Sequence, residues 1–317
     1  MILEIIGTTS FWYAVLRVST PIIFASLAAI VSNKAGVVNI GIEGTMLISS
    51  LIGVLISAFT QNVLVGVLAG ILAGVLAALI LAYCALHLKT DITLTGIALN
   101  LFASGGTIFL LYLVTGDKGM SGSLKSLVVP TVHIPVIKDI PVLGEIISGH
   151  NLLTYLAFLC VFLTFVLLYK LPVGLRIRAV GESEGAVASV GLNVIRIRCI
   201  ALILSGIFSG LGGIFMSMGY VSWFSKDMIA GRGFIALAAE AMGRGTPLGT
   251  LIASIVFGFA DALSNYLQSL QVPAELVMMI PYVTTVVGLL IYSIKRNSKN
   301  KFKKEGKNES KINSYVN

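Results

Sequence analysis

Between two long apolar runs the chain reads Ala35-Gly36-Val37-Val38-Asn39-Ile40-Gly41-Ile42-Glu43-Gly44. Three glycines, an amide and a carboxylate therefore stand beside a run that is long enough to cross a membrane. Lipid offers no hydrogen-bond partner to backbone groups that glycine leaves irregular, and it does not solvate a carboxylate. We therefore expect this segment to face protein or a water-filled path.

The composition is that of a membrane protein. Apolar residues make up 56% of the chain, charged residues only 11%, and the mean hydropathy is +0.96; soluble domains carry roughly 25% charged residues. Apolar runs of about 20 residues recur along the chain, and each can cross a hydrocarbon core of roughly 30 Å. These features predict an all-α fold, a polytopic transmembrane helical bundle, with one membrane domain over residues 1–294.

The formal net charge of +8 lies mostly at the C-terminus. Residues 295–317 hold eight basic and two acidic side chains, with no apolar periodicity. Such a segment predicts a basic, disordered cytoplasmic tail that is attracted to anionic lipid. Without aromatic interleaving or a recognition motif, it does not predict nucleic-acid binding.

Nine segments are candidates for membrane spans. The short one, 233–242, cannot cross alone and is expected to be a tilted or re-entrant helix, so about eight to nine spans are predicted. Basic residues in short loops place the connection 170–198 and the tail inside the cell, and the connection 116–151 outside. The N-terminus is then outside if the short segment crosses. The segments are 11–32, 43–59, 63–86, 95–115, 152–169, 198–219, 233–242, 248–267 and 274–294.

Small residues recur at four-residue spacing in two of these spans, as in Gly66, Gly70 and Gly74. Such stripes allow close approach of helix backbones within a membrane. Packing inside one subunit is the favoured interpretation, with a dimer face as the alternative.

Catalytic patterns are missing from the sequence. The three histidines stand far apart, no phosphate-binding loop occurs, and Cys84, Cys160 and Cys199 have no metal-site or disulfide spacing. The chain is therefore not expected to be an enzyme, to hydrolyse ATP, or to bind a metal or cofactor itself.

A helix of about two turns is predicted at 181–192, inside the long cytoplasmic connection. Ser183 suits its N-cap, Glu184 suits the positive end of the helix dipole, and Gly191 suits its end. Such a helix can dock on a cytoplasmic partner, although a simple surface helix remains the alternative.

Three ordered motifs resemble the family of ABC importer permeases for simple sugars, branched-chain amino acids and nucleosides, across roughly residues 15 to 292. The first is the region 21–50, around the stretch quoted above. The second is the helix region 181–192. The third comprises Gly231-Arg232-Gly233-Phe234, Gly243-Arg244, Pro247-Leu248-Gly249 and Phe257-Gly258-Phe259-Ala260-Asp261-Ala262-Leu263, which look closest to the nucleoside-type branch.

The resemblance implies a type II ABC importer-like fold in the cell (inner or cytoplasmic) membrane. It also implies a second permease subunit that forms a heterodimer with this chain, an extracytoplasmic substrate-binding lipoprotein, and a cytoplasmic ATPase subunit that uses the ATP. The substrate implied is a nucleoside, with riboflavin or a simple sugar such as ribose or galactose as the alternative. The helix at 181–192 would couple to the ATPase through Gly181, Glu182, Ser183, Glu184, Ala186, Ala188 and Gly191. Family members often have Gly-Glu-Asn-Pro where this chain has Gly181-Glu182-Ser183-Glu184.

Five polar residues are candidates for lining a translocation path: Asn39, Glu43, Asn100, Asp261 and Asn265. A helix that begins near Asn39 would place Asn39 and Glu43 on one face. A structural role for Glu43 is favoured, either pairing with Lys34 or capping its own helix. In the same way, Arg232 and Glu240 are expected to pair with each other or to touch substrate. A secondary transporter that couples ions through Glu43, Glu240 and Asp261 is the alternative from a different functional class.

Overall fold

The structure is a computed structural model that describes residues 6–124, 126–135, 142–268, 283–284, 286–288 and 290. Most of the predicted last span, 274–294, and the whole basic tail, 295–317, lie outside the described residues.

Helices make up almost all of the described chain, which confirms the predicted all-α fold. Seven of them are long and apolar enough to cross a membrane by length and composition: α1 (Thr9–Lys34), α2 (Ile42–Thr60), α3 (Val63–Ala82), α4 (Ile92–Thr115), α6 (Leu152–Lys170), α9 (Val194–Ile214) and α11 (Pro247–Gln268). Helices α3 and α9 each continue as a π-helical turn, Tyr83–His87 and Phe215–Tyr220. Four helices are shorter: α5 (Leu143–Ile147), α7 (Pro172–Glu182), α8 (Glu184–Ser189) and α10 (Arg232–Met242). The seven predicted spans other than 233–242 and 274–294 are confirmed to within a few residues.

Polar side chains begin most of the spans. The side chains of Asn62, Asp91, Asn151 and Asn193 precede α3, α4, α6 and α9, and each accepts a hydrogen bond from a backbone N–H in the first turn. Such caps satisfy N–H groups that have no partner within the helix. They explain why the long apolar runs break sharply where they do.

Helix α1 lies at the centre of the bundle, and every residue from position 18 to 32 is buried. Helices α9 and α11 pack beside it, α2 packs against α9, and α3 packs against both α2 and α9. A methyl group on Gly70 would lie 2.7 Å from Ile214 Cγ1, and one on Gly74 would lie 2.6 Å from the Gly206 carbonyl oxygen. The predicted packing within one subunit is confirmed for this glycine stripe.

The short helix α10 crosses only part of the bundle, since its 11 residues extend about 16 Å. The irregular segment 221–231 supplies the rest. This segment begins directly after Tyr220, whose carbonyl oxygen accepts a 2.7 Å hydrogen bond from Nη2 of Arg17, in the first half of α1. Helix α10 then ends beside the other end of α1, where Asn33 Nδ2 donates to Glu240 Oε1 at 2.9 Å. The segment and the half-length helix therefore cross together, which is the condition under which the N-terminus is predicted outside.

The cytoplasmic connection differs from the prediction in one respect. Residues 171–181 were expected to lead into a single helix at 181–192, but they form helix α7, with Pro172 in its first turn. Ser183 then leaves the helical conformation (φ −156°, ψ 102°), and its hydroxyl accepts the Ala186 N–H to start α8. Ser183 as N-cap, Glu184 in the first turn and a helix of about two turns within 181–192 are therefore confirmed, whereas the preceding helix α7 was not predicted.

Candidate functional site: a polar junction inside the bundle

The segment 35–41 turns back from the end of α1 into the bundle. Its turn is closed by hydrogen bonds from Ala35 N–H to the Ser32 carbonyl oxygen (3.0 Å) and from Gly36 N–H to Asn33 (2.9 Å), with Gly36 at φ +73°. Asn39 is then 1% exposed. Val37, Asn39 and Gly41 are buried against protein, whereas Gly36 and Val38 are exposed on the described chain.

Asn39 joins this segment to α9 and to α2. Its Nδ2 donates to Ser205 Oγ at 3.0 Å, and its Oδ1 accepts the Gly41 N–H at 3.0 Å. Gly41 is the residue before α2, and it has no side chain with which to cap that helix. Asn39 therefore supplies a polar cap from outside the helix.

Asn100, on α4, holds the other side of the same segment. Its Nδ2 donates to the Ile40 carbonyl oxygen at 3.0 Å, and its Oδ1 accepts the Gly44 N–H at 2.8 Å. A methyl group on Gly44 would lie 2.9 Å from the Asn100 Cα atom. The Asn100 side chain therefore satisfies one backbone acceptor and one backbone donor, and lipid could satisfy neither of them.

Glu43 caps a helix that is distant in sequence. Its Oε1 accepts the Gly231 N–H at 2.8 Å, and its Oε2 accepts the Gly233 N–H at 2.7 Å. These two N–H groups belong to the start of α10, where Gly231 is left-handed (φ +78°) and provides no side-chain cap. A carboxylate at this position pairs two otherwise unsatisfied donors and complements the positive end of the helix dipole.

The predicted geometry of Asn39 and Glu43 is therefore wrong. Helix α2 begins at Ile42, so the two residues do not share one helical face. Asn39 points to α9 and Glu43 points to α10. The structural role favoured for Glu43 has a different partner from the two expected, since its bonds go neither to Lys34 nor to its own helix.

The expected pair of Arg232 and Glu240 is also wrong. Arg232 Nη2 instead lies 2.7 Å from Asp261 Oδ2, in an ion pair that joins α10 to α11, while Glu240 accepts from Asn33. Asn265 is exposed on the described chain, whereas Ala262 and Ser264 of the same helix are buried. Whether any of the five residues lines a path stays a prediction.

A polar contact that sequence reasoning missed lies between α4 and the segment before α10. Ser104 Oγ donates to Asp227 Oδ1 at 3.2 Å, and Asp227 is exposed on the described chain. Asp227 was missed because it falls between the predicted spans 198–219 and 233–242. The signal that was available is the run Ser104-Gly105-Gly106-Thr107 in the middle of a predicted span.

At the cytoplasmic end, the turn after α1 contacts the end of α7. A methyl group on Gly181 would overlap the Lys34 carbonyl oxygen, and the Gly181 Cα atom lies against Gly36. A polar cleft of about 240 Å³ opens beside this contact, lined by Asn33, Lys34, Arg178, Gly181 and Glu182. The connection 170–198 is therefore mechanically joined to the segment that carries Asn39 and Glu43.

Helix α8 presents most of its surface to solvent. Of residues 181–191, only Val187 is buried, and no atom lies within 4 Å of a methyl group built on Gly185 or on Gly191. Arg198 Nη2, on α9, anchors the helix through a 2.9 Å ion pair with Glu184. The arrangement leaves a capped, anchored helix whose outer face has no partner among the described residues.

Comparisons with known proteins agree with this architecture. The chain is 37% identical over 287 residues to the guanosine ABC transporter permease protein NupQ of Bacillus subtilis, covering 87% of this chain and 89% of NupQ. It is 32% identical over 285 residues to the nucleoside ABC transporter permease protein NupC of Lactococcus lactis, covering 86% of this chain and 89% of NupC.

The fold also resembles a solved structure, an inward-facing conformation of a metal-chelate type ABC transporter. The TM-score is 0.51 at 17% identity, over 89% of this chain and 85% of that chain. The family model described as the branched-chain amino acid transport system / permease component matches residues 12–289. The seven membrane-length helices identify a multi-pass cell-membrane protein. The match over most of the chain shows that it belongs to the branched-chain amino acid transport system / permease component family.

Proposed function

We propose that the chain is the membrane-spanning subunit of an ATP-driven importer of nucleosides. The observation that carries this proposal is the similarity to NupQ and NupC over 86–87% of the chain. Nucleosides are favoured over riboflavin or a simple sugar because both of these relatives are described as nucleoside or guanosine permeases.

The exposed helix α8 is the proposed contact for a cytoplasmic ATPase subunit. ATP binding can drive transport only if it favours one arrangement of the membrane helices over another. Helix α8 is joined through α7 and Gly181 to the backbone at Lys34, which leads into the segment with Asn39 and Glu43. Displacement of α8 would therefore reach the interior of the bundle through rigid backbone contacts. ATP would be bound and hydrolysed by the partner and not by this chain.

A second permease subunit and an extracytoplasmic binding lipoprotein complete the proposed assembly. The exposure of helix α4 supports the need for a second subunit. Only 22% of its most apolar 18-residue stretch is buried, although Ser104 and Gly105 lie at the centre of the helix. A polar stretch of this kind is costly against lipid. A neighbouring subunit across α4 would enclose it in a shared path.

The alternative of a secondary transporter that couples ions through Glu43, Glu240 and Asp261 finds no support in the contacts of these residues. Ion coupling through them would require carboxylates that are free to bind an ion. Glu43 already accepts two backbone N–H groups, Asp261 is paired with Arg232, and Glu240 accepts from Asn33. These three carboxylates have structural partners.

Competition for uptake tests the proposed substrate. The chain is produced with its partner subunits in cells that lack other nucleoside uptake, and entry of radiolabelled guanosine is measured with and without unlabelled competitors. We expect guanosine and adenosine to compete, and ribose and riboflavin to have no effect. Uptake of labelled ribose or riboflavin, with no uptake of guanosine, would overturn the proposal.

A further inference from the structure

The contact between Ser104 and Asp227 lies near the middle of the membrane. Ser104 stands at the centre of α4, about 18 Å along the helix from Ile92 and about 16 Å from Thr115. A hydrocarbon core is roughly 30 Å thick. Asp227, whose Oδ1 lies 3.2 Å from Ser104 Oγ, is therefore close to the bilayer midplane.

Asp227 at this depth cannot face lipid. It is exposed on the described chain, where Ser104 Oγ is its hydrogen-bond partner. A carboxylate exposed to hydrocarbon costs several kcal/mol, and intramembrane carboxylates face a bundle interior or a water-filled cavity. The surface next to it is also open, since no atom lies within 4 Å of a methyl group built on Gly105. An exposed carboxylate at this depth is therefore expected to border a water-filled cavity.

The backbone that carries Asp227 is held rigidly. The Lys226 N–H donates to the Gly119 carbonyl oxygen at 2.8 Å, and the Ala230 N–H donates to the Asp227 carbonyl oxygen at 3.0 Å. At the far end of the segment, Glu43 binds the Gly231 N–H. Asp227 itself is left-handed, with φ +52°, a conformation that aspartate tolerates better than most residues. A fixed carboxylate needs little reordering to meet a ligand.

The chemistry of the pair suits a sugar hydroxyl group. A carboxylate accepts hydrogen bonds at two oxygens, and a serine hydroxyl both donates and accepts. Two adjacent hydroxyl groups, such as the 2′- and 3′-hydroxyls of ribose, can donate to one carboxylate. Building on the proposed function, we infer that Asp227, oriented by Ser104, binds the ribose diol of a nucleoside transiently, midway along the translocation path.

Uptake of guanosine and of 2′,3′-dideoxyguanosine by the complete transporter tests this inference. The measured quantity is the ratio of their uptake rates, with the same binding lipoprotein supplied in excess to every variant. We expect Asp227→Asn to lower the ratio about ten-fold relative to wild type, because hydrogen bonds to a charged group are the stronger kind. Ser104→Ala should lower it less, since it removes only the orienting group.

The matched control is Asp117→Asn. Asp117 accepts from Ser123 Oγ at 3.1 Å, which is the same kind of pair, but it lies beyond the end of α4. This variant should leave the ratio at the wild-type value.

An unchanged ratio in Asp227→Asn would overturn the inference, whether uptake of both solutes is normal or uniformly reduced. Failure of Asp227→Asn to co-purify with the partner permease would also overturn it, because Asp227 would then be a contact between subunits. The proposed function fails by a different result, which is a wild-type transporter that takes up neither solute.

Discussion

Removal of the Glu43 carboxylate should destabilise the bundle through the start of α10. Glu43 makes two hydrogen bonds, at 2.8 Å to Gly231 N–H and 2.7 Å to Gly233 N–H. Each hydrogen bond to a charged group contributes about 1.5–3 kcal/mol. We therefore expect Glu43→Ala to lower the free energy of unfolding by about 3–6 kcal/mol. Glu43→Gln should cost about half as much, because its amide keeps one accepting oxygen.

Equilibrium unfolding in mixed detergent micelles measures this loss. Glu145→Ala is the matched control, since Glu145 is a glutamate that accepts one hydrogen bond, from Thr9 Oγ1, at an exposed position. Its loss should be at most about 1 kcal/mol. If Glu43→Ala and Glu145→Ala unfold with the same free energy, the capping role of Glu43 is refuted.

Three further outcomes follow from other contacts. Gly181→Ala should reduce the amount of solute transported per ATP hydrolysed, because the added methyl group displaces α7 from the end of α1. Gly185→Ala, whose methyl group lies in open space, should leave this amount unchanged. Equal values for the two variants would contradict the role of Gly181. Asn100→Ala should lower the free energy of unfolding by about 2–4 kcal/mol, because it leaves a part-buried backbone donor and a part-buried backbone acceptor unpaired. The exposed Asn265→Ala should change it little, and equal losses would contradict the role of Asn100. Burial lowers the pKa of His150, beside the start of α6, below its ordinary value. The contribution of neutral His150 to stability is therefore complete above about pH 6.5 and is lost as the pH falls below that value, by up to about 1.4 kcal/mol per pH unit. His150→Phe should flatten this slope in unfolding measurements, and an unchanged slope would contradict the assignment.

The spans could be predicted because length and hydropathy determine them directly. Polar caps such as Asn62 and Asp91 end the apolar runs at positions that are visible in the sequence. Helix α7 was missed although a signal existed, with Pro172 at its start and the buried residues Gly174, Ile177 and Val180 at three-residue spacing.

The polar junction could not be predicted in detail, for a physical reason. Glu43 was recognised as a structural carboxylate, but its partners are backbone N–H groups 188 and 190 positions away. Every residue except proline offers such a donor, so no side-chain pattern identifies the pair. The start of α2 likewise depends on Asn100 of a different helix, which is why Asn39 and Glu43 were expected on one face.

The driving force of uptake tests the central claim most directly. Vesicles that contain the chain with a partner permease, an ATPase subunit and a binding lipoprotein are loaded with ATP on the ATPase side, and accumulation of guanosine is followed. We predict accumulation that requires hydrolysable ATP and that continues when ionophores collapse the ion gradients. Accumulation that proceeds without ATP and stops when the ion gradients collapse would contradict an ATP-driven importer.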